Sequence, residues 1–336
     1  MMMALIGRLY IFNFKIVKRF VLNTCLYIFL ILLCLEGLVR LFHLYNDVPL
    51  HLYIDEYDIQ KTVPGQTGFS VTGNRRQNFA EFRINNFGYN SYREFIPTAN
   101  EVEIALIGDS FIEGFNQHFY DSTGKKVENY LNDGTKVFEY GRGGYDMADQ
   151  FHIIKSYKDQ FDLIDYVFIY MKFENDLKRT EIKPDHRLVN LKHSFKFKIK
   201  RQIRLLKYAN AIGLFDAFRR FWYGSNFNEE TFDTFISSSD SISDKFDAEY
   251  LDNFKTLVKT YGFNKEKNVF LFDKRKTSPL FVEHCEKMGY KYLDFGAVFE
   301  KSSRPTDLIY DRHWNNHGRE IVASVIADYV KNNAGK

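Results

Sequence analysis

No charged residue occurs from Phe20 to Leu35 (FVLNTCLYIFLILLCL), and Gly37, Leu38 and Val39 extend the apolar run past Glu36. At 1.5 Å of rise per residue, about 20 such residues cross the ~30 Å hydrocarbon core of a bilayer. The pattern predicts a transmembrane anchor over 20–42, preceded by a cytoplasmic N-terminus over 1–19. A cleaved signal peptide would have a shorter apolar region ending in a small-x-small site, which LEGLVRLFH does not supply. Glu36 falls four residues before Arg40 on the same helical face, so the two can pair near the interface. Arg8, Lys15, Lys18 and Arg19 precede the run and Arg40 alone closely follows it. By the positive-inside rule, everything after about residue 42 is then extracytoplasmic.

Beyond the anchor, short apolar runs alternate with amphipathic stretches: EIALIG at 103–108, KVFEYG at 136–141, YVFIYM at 166–171, NVFLF at 268–272 and YKYLDF at 290–295. Strands separated by helices predict βαβ units and a parallel sheet, whose ligands sit at the carboxyl ends of the strands. Residues 43–100 read as an N-terminal extension with a turn-like NNFGYN at 85–90. Ser237–Ser243 (SSSDSIS) reads as a linker inside an insertion over about 178–245.

Composition narrows the class. The 336 residues are 45% hydrophobic and 26% charged, with aromatics at 17%, so the chain folds around a large aromatic-rich core. A net charge of +3 is too small to imply nucleic acid as a partner. Two of the three cysteines, Cys25 and Cys34, lie in the apolar run, so Cys285 has no evident partner. The nine histidines are scattered and form no metal-ligand cluster.

The first strand ends in Gly108-Asp109-Ser110-Phe111, where a serine at the start of a helix has an exposed hydroxyl and a free backbone N–H. The same tripeptide also makes an ordinary turn and N-cap. The second strand opens into Gly141-Arg142-Gly143-Gly144, where the missing Cβ lets a backbone N–H approach a ligand. A dinucleotide fingerprint fails, because the sixth position would be Asp146. Asn175, after the third strand, could project its amide from the same edge or cap a helix. Asp311 and His313 lie on the loop entering REIVASVIADYV, an amphipathic helix. In extended chain i and i+2 point the same way, so Asp311 can hold one imidazole nitrogen while the other faces a serine. An Asp-x-His pair alone is usually structural, but four such blocks in this order, each at the expected edge, form a constellation.

Ser110, Gly141, Asn175 and His313 resemble the four blocks of the SGNH, or GDSL-like, hydrolase superfamily over about residues 101–330. Asn85-Asn86-Phe87-Gly88 resembles the N-x-x-G turn of its membrane-anchored, polysaccharide-modifying branch. The resemblance implies a flavodoxin-like three-layer αβα sandwich with a parallel sheet. It also implies a catalytic Ser110, His313 as base, Asp311 supporting the imidazole, and an oxyanion held by Ser110, Gly141 and Asn175, with no cofactor and no metal. Two positions depart from the pattern: Phe173 stands where a glycine is frequent, and the usual Asp-x-x-His becomes Asp311-x-His313, with Tyr310 at the customary Asp position. His317 is a competing base that matches no block.

The implied activity is a membrane-anchored serine esterase or deacetylase acting on an acylated cell-surface or secreted glycan. An O-acetyltransferase would use the same site, and a non-catalytic glycan-binding or assembly module would keep only the fold. Polysaccharide-assembly proteins are the expected partners, with the membrane bound through the N-terminal helix. The segment 192–207, KHSFKFKIKRQIRLLK, has seven Lys or Arg and no acid. It reads as a solvated lid face, a surface for anionic headgroups, or a groove for an anionic glycan.

Overall fold

The structure is a computed structural model. It describes residues 2–47, 52–72, 77–184, 202–223, 244–309 and 311–333, with a few isolated positions between. The linker at 237–243, Tyr310 and most of the basic run at 192–201 lie outside the described residues. The chain divides into two compact units, Met1–Asn46 with Lys198–Phe227, and Asp47–Phe197 with Asn228–Lys336.

In the first unit the charge-free run lies inside a single helix, Met2–Leu41, of which Val17–Leu41 is long and apolar enough to cross a membrane and is not buried by the protein. Glu36 and Arg40 do pair, at 2.7 Å. Two further described helices, Arg204–Ala211 and Leu214–Tyr223, belong to the unit.

The second unit begins with two hairpins, β1 (Leu52–Ile54) with β2 (Gln60–Thr62), and β3 (Thr67–Thr72) with β4 (Asn78–Arg83), both antiparallel. Five strands follow: β5 (Glu103–Gly108), β6 (Lys136–Gly141), β7 (Tyr166–Tyr170), β8 (Asn268–Phe272) and β9 (Lys291–Asp294). They coincide with the five apolar runs, β7 and β9 stopping a residue or so short. All pair in parallel in the order β6-β5-β7-β8-β9. Counted among themselves this is 2-1-3-4-5, the flavodoxin-like doubly wound order.

Both faces of β5, β6, β7 and β8 are buried, which is why their runs read as largely apolar stretches, while the edge strand β9 is partly exposed. Ala105, Ile107, Val167, Ile169 and Phe270 point to one layer, where Phe254, Leu257, Phe281 and Cys285 of helices Asp244–Tyr261 and Pro279–Met288 meet them. Ile104, Leu106, Phe168, Val269 and Leu271 point to the other, against Val127 of helix Thr123–Leu131 and Val322, Ala323 and Ile326 of helix Asn316–Asn333. The result is a three-layer αβα sandwich. Its crevice lies at the carboxyl ends of β5 and β7, where strand order reverses.

The hairpin of β1 and β2 is fastened to the sandwich by Tyr145, whose hydroxyl donates to the Gln60 carbonyl at 2.8 Å, and by Lys61, whose ammonium pairs with Asp55 at 3.2 Å within the hairpin and sits 4.4 Å from the Tyr157 ring centre. NNFGYN forms the turn expected of it: Asn85 Oδ1 accepts the Phe87 and Tyr89 N–H groups, and Gly88 takes φ +92°. A Cβ at Gly88 would lie 2.7 Å from the Thr62 carbonyl oxygen, so glycine is required there by both conformation and space.

Candidate active site

Ser110 opens a single helical turn, Ser110–Glu113, at the end of β5. Its Oγ lies 2.7 Å from Nε2 of His313, which reaches it from 203 residues away in the chain. On the far side of the imidazole, Nδ1 stands 3.5 Å from Asp311 Oδ1, an ion-pair separation longer than a hydrogen bond. Burial alone would raise the Asp311 carboxyl. The His313 side chain and backbone N–H outweigh it, leaving the acid below its ordinary value.

The way Asp311 reaches the ring corrects the extended-chain expectation. Arg312 adopts φ +58°, in the left-handed region, so the chain turns between the two residues. Asp311 Oδ1 accepts the His313 backbone N–H at 3.1 Å, which is an Asx turn and not a strand-like alternation. His317 points elsewhere, its Nε2 lying 2.9 Å from Ser302 Oγ. Asp307 is engaged through its backbone, in a bridge to Trp314 and a 3.2 Å bond from Asn315 Nδ2 to its carbonyl.

The Ser110–Glu113 turn is clamped from several elements. Asp109, its N-cap, accepts the Phe111 N–H at 2.8 Å, and its other oxygen pairs with Lys172 Nζ at 2.7 Å. Lys172 follows β7 and lies 4.5 Å from the Phe111 ring centre, and Phe111 in turn packs on His313 with centroids 4.6 Å apart. Arg319 Nη1 donates to the Phe111 carbonyl at 2.6 Å. Asn90 Nδ2, from the extension, donates to the Glu113 carbonyl at 2.8 Å. The turn closes at Gly114 with φ +68°.

The glycine-rich loop meets this turn directly. A Cβ at Gly141 would fall 2.2 Å from Glu113 N and 2.5 Å from the Ile112 carbonyl carbon, so glycine there permits one backbone to lie against another. The ladder ends one residue later, where Arg142 N–H donates to the Gly108 carbonyl at 3.1 Å. Gly143 donates its N–H to Glu113 Oε2 at 2.9 Å, and a Cβ on it would lie 3.7 Å from Ser110 Cβ. Desolvation pushes the Glu113 carboxyl up to about 7, with Arg142 and the Gly143 N–H pulling the other way. Beside this loop opens a polar cleft lined by Asp58, Gln60, Arg142, Gly144, Asp149 and Arg179, among others.

Asn175 sits in the short helix Phe173–Asp176 that follows β7. It is exposed, and its Oδ1 lies 3.5 Å from Lys178 Nζ. Phe173, at the position of the frequent glycine, is instead a core residue packed on Phe281 at a 5.6 Å centroid distance. Among the described residues no group of three or more His, Cys, Asp or Glu could hold a metal ion.

Sequence reasoning did not reach Asn90, Glu113, Lys172 or Arg319. Arg319 did carry a signal: it lies three and four residues before Val322 and Ala323, on the apolar stripe of its helix, where a charge needs a buried partner. Asn90 sits in the turn already singled out at 85–90.

No family model matches the chain, and no curated protein matches it either. Solved structures do resemble it. A carbohydrate acetylesterase family member from Sinorhizobium meliloti is 12% identical, with 70% of this chain and 100% of that one covered at a TM-score of 0.37. A member of the lipolytic protein G-D-S-L family from Veillonella parvula is 10% identical, covering 69% and 99% at 0.37. The native aryl esterase of M. smegmatis is 12% identical, covering 69% and 99% at 0.39.

Proposed function

We propose that this chain is a membrane-anchored serine esterase that removes acyl groups from a cell-surface or secreted glycan. The observation that carries the chemistry is the 2.7 Å approach of His313 Nε2 to Ser110 Oγ at the carboxyl edge of the sheet. As Oγ attacks the acyl carbon, its proton passes to Nε2 and the carbonyl electron pair moves onto oxygen. In this reading that oxyanion is received by the Ser110 N–H, the Gly141 N–H and the Asn175 amide. Collapse expels the sugar oxygen, which takes the proton from His313. Water then attacks the acyl-serine with His313 again as base, releasing the acid and restoring Ser110. Asp311 orients the imidazole and stabilises the imidazolium. The apolar helix Val17–Leu41 favours a place at the membrane.

A fluorophosphonate should label the protein at Ser110, and Ser110→Ala should abolish both labelling and ester hydrolysis. Ser110→Ala and His313→Ala should lower kcat to a similar degree, with the double variant scarcely worse than either, because the two act as one unit. Full activity in Ser110→Ala would remove the esterase reading altogether.

A further inference from the structure

Helix Leu214–Tyr223, LFDAFRRFWY, leaves unusually large apolar side chains in the open. Leu214, Phe218, Phe221 and Trp222 are 54%, 62%, 84% and 68% exposed, and Phe215 is partly so. Their positions run i, i+1, i+4, i+7, i+8, which is one continuous helical face. Asp216 and Arg220 occupy the opposite side and Arg219 the border between the two, and the Phe218 and Trp222 rings stack at 5.9 Å. A soluble surface helix would turn such a face inward.

The helix belongs to the same compact unit as the apolar span. The connection is built of hydrogen bonds at the end of that span. Glu36 accepts the Arg204 N–H at 3.0 Å and the Leu205 N–H at 2.6 Å, capping the N-terminus of helix Arg204–Ala211 with a carboxylate. Arg40 Nη2 donates to the Gln202 carbonyl at 2.7 Å, and Lys207 Nζ to the Asn46 carbonyl at 3.1 Å. Only Ile212 and Gly213 separate this capped helix from the amphipathic one, so the latter is held close to the level at which the span leaves the hydrocarbon. Aromatic and aliphatic side chains on one face with arginines at its border and opposite is the composition of helices that lie in the headgroup–acyl boundary.

We infer that Leu214–Tyr223 is an interfacial helix that lies in the same bilayer the span crosses, its Phe and Trp face in the acyl boundary and Arg219 and Arg220 among the headgroups. The inference rests on the span being a membrane anchor. Its occupant is lipid, because the face is as uncovered as the apolar surface of Val17–Leu41 and belongs to the same unit, tied to the end of that span through Glu36 and Arg40.

The test uses the full chain in phosphatidylcholine–phosphatidylglycerol vesicles with brominated acyl chains. Trp222 emission should be quenched, and the loss should disappear in Trp222→Phe, since the other tryptophan, Trp314, is buried in the sandwich at 3% exposure. Phe218→Asp combined with Phe221→Asp should weaken the quenching while leaving ester hydrolysis on a soluble substrate unchanged. Alkaline carbonate extraction of the same vesicles separates the two failures. Release into the supernatant overturns the anchor and the inference with it. Retention in the pellet with an unquenched Trp222, whether a second copy or another segment of this chain shields it, overturns the inference alone.

Discussion

Arg319 and Glu139 are ionisable side chains that the core takes almost wholly out of water, at 0% and 1% exposure. Arg319 holds the Phe111 carbonyl and Thr123 Oγ1, yet among the described residues its Nε and Nη2 find no hydrogen-bond partner, and neither does Glu139 Oε2. Glu139 Oε1 accepts the Gly124 N–H at 2.8 Å. Burial pushes the Glu139 carboxyl up to about 7, against the opposing pull of Ser122, Gly124 and Arg319. A folded-state value above the unfolded 4.5 means that the folded chain binds the proton more tightly. Its contribution to stability is therefore whole below about pH 4.5 and lost as pH rises through about 7. Glu139→Gln should flatten part of this decline, by up to ~3 kcal/mol between pH 4.5 and 8, as read by denaturant melts across that range. The component from Glu113 would remain. Identical pH profiles for the two proteins would show that Glu139 binds its proton no more tightly folded than unfolded. Neither glutamate stood out in the sequence, because what shifts them is enclosure by residues far away in the chain. Ser110 and His313 did stand out, because a strand end and a helix entrance are local patterns. Asp311 was found through an alternation that the chain does not follow, its Asx turn at Arg312 being invisible to a period-two argument.

At the scale of elements, the strands were legible almost residue by residue. Fully buried parallel strands leave unbroken apolar runs, and Gly108 and Gly141 punctuate two of them. The role of Gly141 was less legible, since space for a ligand and space for another backbone look the same in sequence. That a Cβ on Gly141 would fall 2.2 Å from Glu113 N shows that the loop after β6 and the turn after β5 are packed against each other. Gly141→Ala should therefore displace the Ser110–Glu113 turn and cost about 1–3 kcal/mol or more of stability through overpacking. Gly143→Ala should cost less, since its Cβ meets the end of a flexible side chain, Glu113 Oε2, at 3.0 Å. Thermal denaturation of both variants checks this; equal melting temperatures would mean that the two backbones separate easily. The extension is an element of the site in the same sense, because Asn90 holds the Glu113 carbonyl from a turn that precedes the sandwich.

For the whole molecule, the positive residues before Phe20 and the span Val17–Leu41 motivate an extracytoplasmic site. A reporter active only outside the cytoplasm, fused after Lys336, should therefore work, and a cytoplasmically active fusion would overturn the glycan substrate together with the orientation. The distance in sequence between Ser110 and His313 has a further consequence, in time. Synthesis runs from the N-terminus, so Ser110 and all five strands emerge before the His313 imidazole that meets it. Under the mechanism proposed above, Ser110 is then an ordinary alcohol until that late loop docks, and the growing chain carries it past every ester without reacting.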